Sequence, residues 1–151
     1  DGKFGLAHLA RLAHRALVEA DEGRILGAEI GEEILLALEV GLNLGRGFGD
    51  LSRATENAVI LDGRVHKLGD VGFDYRSGDY MRPWRFTDDA GRLDLTFIPF
   101  KDRTARTNLG IIFSEVHQMF GRYDGRVVLD DDTVLEIRDL IGFAEEHRAR
   151  W

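Results

Sequence analysis

Residues 57–68 read NAVILDGRVHKL, and this stretch decides the fold class. Two runs of strand-forming residues flank Asp62-Gly63, a pair that favours the backbone of a tight hairpin turn. An Asp-Gly pair between such runs is the strongest short-range signal for a β-hairpin. The sequence therefore predicts two antiparallel strands joined at this point.

The same pattern continues on both sides of this hairpin. Residues 38–44 alternate strictly, with Leu38, Val40, Leu42 and Leu44 on one face, which predicts a strand over about 36–44. With 18 glycines and 2 prolines, the chain fits many short strands, and Gly121 is a candidate bulge. We expect further turns at Ala90-Gly91, Asp124-Gly125 and Asp130-Asp131-Asp132. About eight antiparallel strands over 40–140 indicate a mainly β fold, either a barrel-like sheet or a sandwich.

The N-terminal part of the chain has a different pattern. Apolar residues recur there at helical spacing, opposite a charged face: Leu6, Leu9, Ala13 and Leu17. This pattern predicts an amphipathic helix over 5–20 that packs on the sheet. We expect an N-terminal helical segment at 1–35 and an antiparallel β domain at 36–151. The tail at 143–151 fits either a short helix or a final strand.

Composition excludes several classes of function. The 151 residues include no cysteine, so disulfides, thiolate metal sites and thiol nucleophiles are excluded. The formal charge of −7 argues against nucleic-acid binding through phosphate neutralisation. No apolar run approaches the roughly 18 residues of a transmembrane segment, and no secretory signal pattern is present. We expect a soluble cytoplasmic protein that uses no cofactor.

Familiar catalytic and metal-binding motifs do not fit. The glycines at 45, 47 and 49 lack the spacing of a dinucleotide-binding loop. The aspartates at 130–132 lead into a strand and lack the other ligands of an EF-hand. The five histidines lack zinc-hydrolase spacing, and no Gly-x-Ser-x-Gly motif marks a nucleophile. We therefore expect neither a metal site nor serine hydrolase chemistry.

A few polar residues interrupt runs that otherwise predict buried strands. Burying such groups without partners is costly, so they are either exposed or joined in a network. An acid and an imidazole for catalysis in an apolar pocket would come from Glu56, His117 and Glu145. Ligand contacts would come from Asn57, Gln118, Trp84 and Phe120. We expect these side chains to converge at one cavity.

The alternative for these residues is structural. Glu56 and Asn57 would then cap a turn, and Glu145 would form a surface ion pair with His147. His117 would lie on an exposed strand face.

Several strings of the sequence occur together, and in order, in one known family. They lie at 55–58, 65–68, 83–86, 94–100, 108–111, 115–121 and 142–151. The last two, EVHQMFG and GFAEEHRARW, are the most specific. In this order the strings resemble the C-terminal part of the domain of unknown function 2804 family, over about residues 40–151. Residues 1–35 lie outside the resemblance.

The resemblance implies an antiparallel barrel and three hypotheses for function. The family's pattern is similar to calycin-like proteins, which include carotenoid hydratases and lipocalin-like isomerases and cyclases. Those barrels hold an apolar ligand beside one or two acid groups. The chain would then bind an apolar small molecule or a partner domain, or act as a hydratase or isomerase on an apolar alkene or enol. The third hypothesis is a structural half-domain that forms a homo-oligomer.

Overall fold

The described part of the molecule is an antiparallel β structure. The computed structural model describes residues 3–7, 15–16, 38–46, 55–109 and 112–150. Its strands are β1 (Lys3–Ala7), β2 (Arg15–Ala16), β3 (Leu38–Gly45), β4 (Ala58–Leu61), β5 (Arg64–Lys67), β6 (Val71–Asp74), β7 (Trp84–Asp88), β8 (Leu93–Leu109), β9 (Ile112–Val128) and β10 (Val134–Arg150). The prediction of a mainly β fold is confirmed. These residues include no helix that is long and apolar enough to cross a bilayer.

The strands follow one path of antiparallel neighbours. Their order is β5-β4-β3-β1-β10-β9-β8-β7-β6, and β2 pairs with β3 beside this path. The path ends at β5 and β6, so the described residues form no closed barrel. Residues 68–70 alone separate these two edge strands in the chain. This link spans at most about 14 Å, whereas nine strands side by side measure about 38 Å across. The sheet therefore folds back on itself.

Large side chains fill the inner face of this folded sheet. Trp84, Phe86, Phe97 and Tyr123 are each at most 1% exposed. The ring centroids of Phe97 and Tyr123 are 4.6 Å apart, and those of Phe86 and Tyr123 are 5.6 Å apart. Buried and exposed residues alternate along β7 and the first part of β8, as expected when one face of a sheet is covered. The described core is thus occupied by protein side chains.

Three strands of 17 residues, β8, β9 and β10, span the sheet from end to end. β7 pairs with residues 94–97 of β8 and no further. The pairing register between β8 and β9 shifts between Pro99 and Lys101, so Phe100 forms a β-bulge. Beyond this bulge, residues 101–109 of β8 pair with β9 on one side and with no other described strand. We call residues 101–107 the free edge.

Most of the predicted turns are confirmed. Asp62 and Gly63 connect β4 to β5 with φ angles of 48° and 79°. Gly91 lies in the turn from β7 to β8 with a φ of 69°. The aspartates at 130–132 connect β9 to β10, and the tail at 143–150 is strand. The strand predicted at 36–44 is β3.

The predicted turn at Asp124-Gly125 is wrong. Gly125 lies inside β9 and pairs with Leu95 of β8 and Ile137 of β10. Its φ is 140°, and a Cβ atom there would lie 2.2 Å from the carbonyl oxygen of Asp94. The glycine is required because β8 approaches closely, and no chain reversal takes place. The bulge predicted at Gly121 lies instead on the facing strand, at Phe100.

Most of the predicted N-terminal helix lies outside the described residues. Residues 8–14 and 17–20 of that stretch are not described. Residues 5–7 and 15–16 of the same stretch are extended, in β1 and β2. β1 pairs with both β10 and β3.

Arg92, immediately before β8, ties the edge strand β5 to the end of β9. Its Nη1 donates to the carbonyl oxygen of Lys67 in β5, and its Nε to that of Val128 in β9, each at 3.0 Å. Its Nη2 donates to Asp130 at 2.8 Å. The buried His66 of β5 also contacts Asp130, with 3.3 Å between Nδ1 and Oδ2. Arg92 thus fixes the edge strand β5 against the end of β9.

Replacing Arg92 by lysine is expected to lower the free energy of unfolding by about 2 kcal/mol, because one ammonium group cannot reach three acceptors in different directions. Urea unfolding measures this loss. Arg85→Lys is the control, since Arg85 is exposed and its partner is Asp94 on the surface. An equal loss of stability in both variants would contradict the role assigned to Arg92.

Candidate functional site

A carboxylate is buried at one end of the inner face. Glu146 of β10 is 1% exposed and lies opposite His117 of β9. Its Oε1 accepts a hydrogen bond of 2.8 Å from Arg148 Nε. Its Oε2 is buried and accepts no hydrogen bond of ordinary length from the described residues, although the hydroxyls of Tyr75 and Tyr80 interact with this carboxylate. A buried carboxylate oxygen without such a hydrogen bond raises the free energy of the fold, so it calls for an explanation by a bound molecule or a functional role.

A bulge in β10 decides that Glu146 faces inward. Before the bulge, buried residues of β10 have odd numbers, such as Leu135 and Ile137. The register shifts between Ile137 and Leu140, and beyond this point the buried residues have even numbers up to Glu146. Arg148 follows two positions later on the same face, which explains why the two charged side chains pair.

Arg148 connects the buried carboxylate to the segment between β6 and β7. Its Nη2 donates to the hydroxyl of Tyr80 at 2.8 Å and also to Ser77 Oγ. Its guanidinium carbon lies 6.0 Å from the centroid of the Tyr80 ring, within range of a cation–π contact. The side chain of Arg148 is 32% exposed, so this arginine marks the passage from buried Glu146 to solvent.

Three aromatic rings stand beside the carboxylate. Tyr75 and Trp84 stack at 4.0 Å between centroids, and Tyr80 lies 6.3 Å from Trp84. Burial and then the charge of Glu146 raise the pKa of Tyr75 to about 12. Burial is also the largest cause of the raised pKa of Tyr80, followed by its interaction with Glu146. Both hydroxyls therefore keep their protons at neutral pH.

His117 completes this cluster on its solvent side. Its ring lies 4.5 Å from the ring of Tyr80, centroid to centroid. Its Nδ1 is 3.1 Å from Asp102 Oδ2 and 3.3 Å from the hydroxyl of Thr104, both on β8. The Asp102 contact fixes the orientation of the imidazole ring, as a carboxylate commonly does for a functional histidine.

We call the following residues the Glu146 cluster: Tyr75, Ser77, Tyr80, Trp84, Asp102, His117, Glu146 and Arg148. It combines a buried hydrogen-bond acceptor, an aromatic wall and polar groups that are partly open to solvent. Such a combination is typical of sites that orient a small molecule by one polar group. Within the described part of the chain, no three histidine or carboxylate side chains converge in a way that could hold a metal ion.

The structure divides the residues predicted for the site between two faces of the sheet. His117 and Trp84 face inward, and both contact Tyr80. Gln118 and Glu145 are cross-strand neighbours on the outer face, where Gln118 Nε2 lies 3.4 Å from Glu145 Oε2. Phe120 is on that outer face too, 6.3 Å from the ring of Phe143. Since successive residues of a strand point to opposite faces, these side chains do not meet at one cavity.

Glu56 and Asn57 lie before β4, and β3 and β1 separate β4 from β10. Asn57 is fully buried; its Oδ1 accepts from Gly45 N at 2.7 Å, and its Nδ2 donates to Gly69 O at 2.8 Å. The side chain of Asn57 thus bridges two backbone segments. Glu56 is exposed, and its carbonyl oxygen accepts from Asn43 Nδ2.

Sequence reasoning missed Glu146, Arg148, Tyr75 and Tyr80. No local sequence signal marks the first two, because the bulge in β10 near Asp139, whose φ is 56°, decides which way they face. Sequence reasoning also found no partner for Ser114, whose Oγ lies 3.0 Å from His147 Nε2 on the outer face.

Comparison with models of known protein families identifies the family to which the chain belongs. A family model with the description "Domain of unknown function (DUF2804)" matches residues 32–151. The chain belongs to this family. The matched part of this domain of unknown function 2804 contains the whole Glu146 cluster, together with β3 to β10. Among curated proteins and among solved structures, none is similar enough to count as a match.

The ionisation of the tyrosines provides a direct test of the cluster. The family member has three tyrosines in total, and Tyr123 also has a raised pKa because it is buried. We expect an alkaline titration, followed by tyrosinate absorbance, to show all three tyrosines ionising above pH 10, with Tyr75 near pH 12. The free energy of unfolding should fall as pH rises above 10, because the unfolded chain then ionises first. Ionisation of a tyrosine near pH 10 in the folded protein would count against this arrangement.

Substituting the buried carboxylate tests whether it serves the fold. We expect Glu146→Gln to raise the free energy of unfolding by about 1 kcal/mol, because a buried charge disappears while a carbonyl oxygen still accepts from Arg148. Urea unfolding gives this value. Glu145→Gln, at the neighbouring position on the outer face, should change stability by less than about 0.5 kcal/mol. A loss of about 3 kcal/mol in Glu146→Gln would show that the ion pair is structural.

Proposed function

We propose that this domain binds a small molecule at the Glu146 cluster. The ligand would have an apolar body and one head group that donates a hydrogen bond, such as a hydroxyl or an amine. The observation that carries this proposal is the buried Oε2 atom of Glu146, which lacks a donor at ordinary hydrogen-bond length among the described residues. A charge-assisted hydrogen bond from a ligand would supply that donor.

The position of the ligand follows from the packing of the core. Trp84, Phe97 and Tyr123 occupy the inner face, so the body of an apolar ligand belongs at the end of the folded sheet. There Tyr75 and Tyr80 offer aromatic surface, and the partly exposed Arg148 and His117 leave a route from solvent. Binding at the mouth of a folded sheet is the mode that a lipocalin-like domain would use.

Binding is better supported than the alternative of a hydratase or isomerase. Such an enzyme needs an acid that protonates an alkene or enol next to the ligand. Tyr75, with a pKa of about 12, holds its proton too tightly to act as that acid at neutral pH. Glu145 faces away from the cluster, and Glu56 lies beside β4. The cluster therefore offers hydrogen bonds to a ligand in preference to a proton.

Three decyl compounds that differ only in the head group test this proposal: decylamine, decanol and decanoate, each below its micelle concentration. We expect decylamine and decanol to bind and to raise the melting temperature, because both can donate to Glu146. Decanoate should bind at least tenfold more weakly than decylamine, since two carboxylates repel each other and share no proton. Isothermal titration calorimetry measures the affinities.

Two glutamine variants locate the binding site. Glu146→Gln should weaken decylamine binding about tenfold and remove the preference for the amine over decanoate. Glu145→Gln is the matched control and should bind as the unchanged protein does. Decanoate binding as tight as that of decylamine, or equal effects of the two variants, would rule out Glu146 as the head-group acceptor.

A further inference from the structure

The free edge, residues 101–107, is a long part of β8 with only one described neighbouring strand. Each residue from 101 to 108 is exposed, which means that both faces of this part of β8 are open. β9 lies on one side, and no described strand pairs with the other. Backbone N–H and C=O groups on such an edge can hydrogen-bond to an incoming strand.

The charge of the free edge is opposite to that of the chain. Three basic residues, Lys101, Arg103 and Arg106, accompany the single acid Asp102, although the chain has a net charge of −7. Asp102 contacts His117 on the inner face. Lys101 and Arg103 lie opposite Phe120 and Gln118 on the outer face.

Apolar side chains stand exposed where the free edge begins. Ile98 is 50% exposed and Phe100, at the bulge, is 55% exposed. The pairing of β7 with β8 ends one residue before, at Phe97. A strand added to the free edge would thus continue the line of β7, with Ile98 and Phe100 available to an apolar side chain at its end.

We propose that the free edge binds an extended acidic segment of a partner protein by strand addition. The partner strand would place acidic residues opposite Lys101 and Arg103, and an apolar residue near Phe100. Backbone hydrogen bonds supply affinity in such complexes, and alternate side chains supply specificity. A second copy of this chain fits less well, because two basic strands would lie side by side and repel each other.

Two synthetic peptides, each as long as the free edge, test the proposal on the full chain. The first alternates glutamate with valine and has a leucine at one end; the second has lysine in place of glutamate. We expect only the acidic peptide to bind, and added salt to weaken the binding. Hydrogen exchange should show new protection at alternate amides of residues 101–107, as strand pairing requires. Equal binding of both peptides, or protection elsewhere, would overturn the proposal.

Charge reversal on the outer face locates the binding surface. Lys101→Glu with Arg103→Glu should weaken binding of the acidic peptide at least tenfold. Arg64→Glu with Arg126→Glu changes the net charge equally at exposed positions, on β5 and on the part of β9 that pairs with Asp94 before the bulge, and should leave binding unchanged. A loss of binding in the control pair as well would contradict the proposal. A dimer of the unchanged protein in light scattering that is absent in the variant Lys101→Glu with Arg103→Glu would also contradict the proposal, because a second copy would then occupy the free edge.

Discussion

The three residues that link the two edge strands constrain the whole fold. β5 and β6 end the path of strands, yet residues 68–70 alone join them, so the sheet has to turn its inner face toward itself. Arg92 then holds β5 in place through the carbonyl oxygens of Lys67 and Val128. The carbonyl of an edge strand, otherwise left to water, thus becomes part of the contact that keeps the sheet folded back. The same turn of the sheet brings the segment after β6 over the end of β10, where Tyr80 meets Arg148.

The apolar core and the polar Glu146 cluster occupy different ends of the long strands. Along the first half of β8 and the second half of β9, aromatic and aliphatic side chains form the buried core. Toward the other end, the inner face carries Glu146, His117 and Arg148, whose burial is only partly compensated by hydrogen bonds. A site at the end of a rigid core gains fixed geometry from the core while remaining open to solvent. The aromatic core and the polar cluster are therefore parts of one arrangement, in which the first positions the second.

Local features of the sequence were sufficient for some elements and insufficient for others. Asp62-Gly63 was predictable because a two-residue turn needs positive φ angles that its own residues supply. Asp124-Gly125 has the same letters, but Gly125 is required by the close approach of Asp94, a residue on another strand. The orientation of the acidic residues in β10 was not predictable for a similar reason. Glu145 and Glu146 are adjacent, and a bulge near Asp139, several residues away, decides which of them faces inward. Neither composition nor alternation around Glu146 contains that information.

The bulge at Phe100 changes which residues of β8 face inward, from odd-numbered to even-numbered positions. Before it, odd-numbered residues such as Phe97 point to the core; beyond it, even-numbered Asp102 and Thr104 lie opposite the inward residues of β9. The bulge thus sends Asp102 toward His117 and turns Arg103 to the outside. Regular pairing straight through Phe100, with no bulge, would turn Asp102 outward and Arg103 inward without any substitution. The bulge at position 100, as much as side-chain identity, therefore determines which face of β8 carries Asp102 and which carries Lys101 and Arg103.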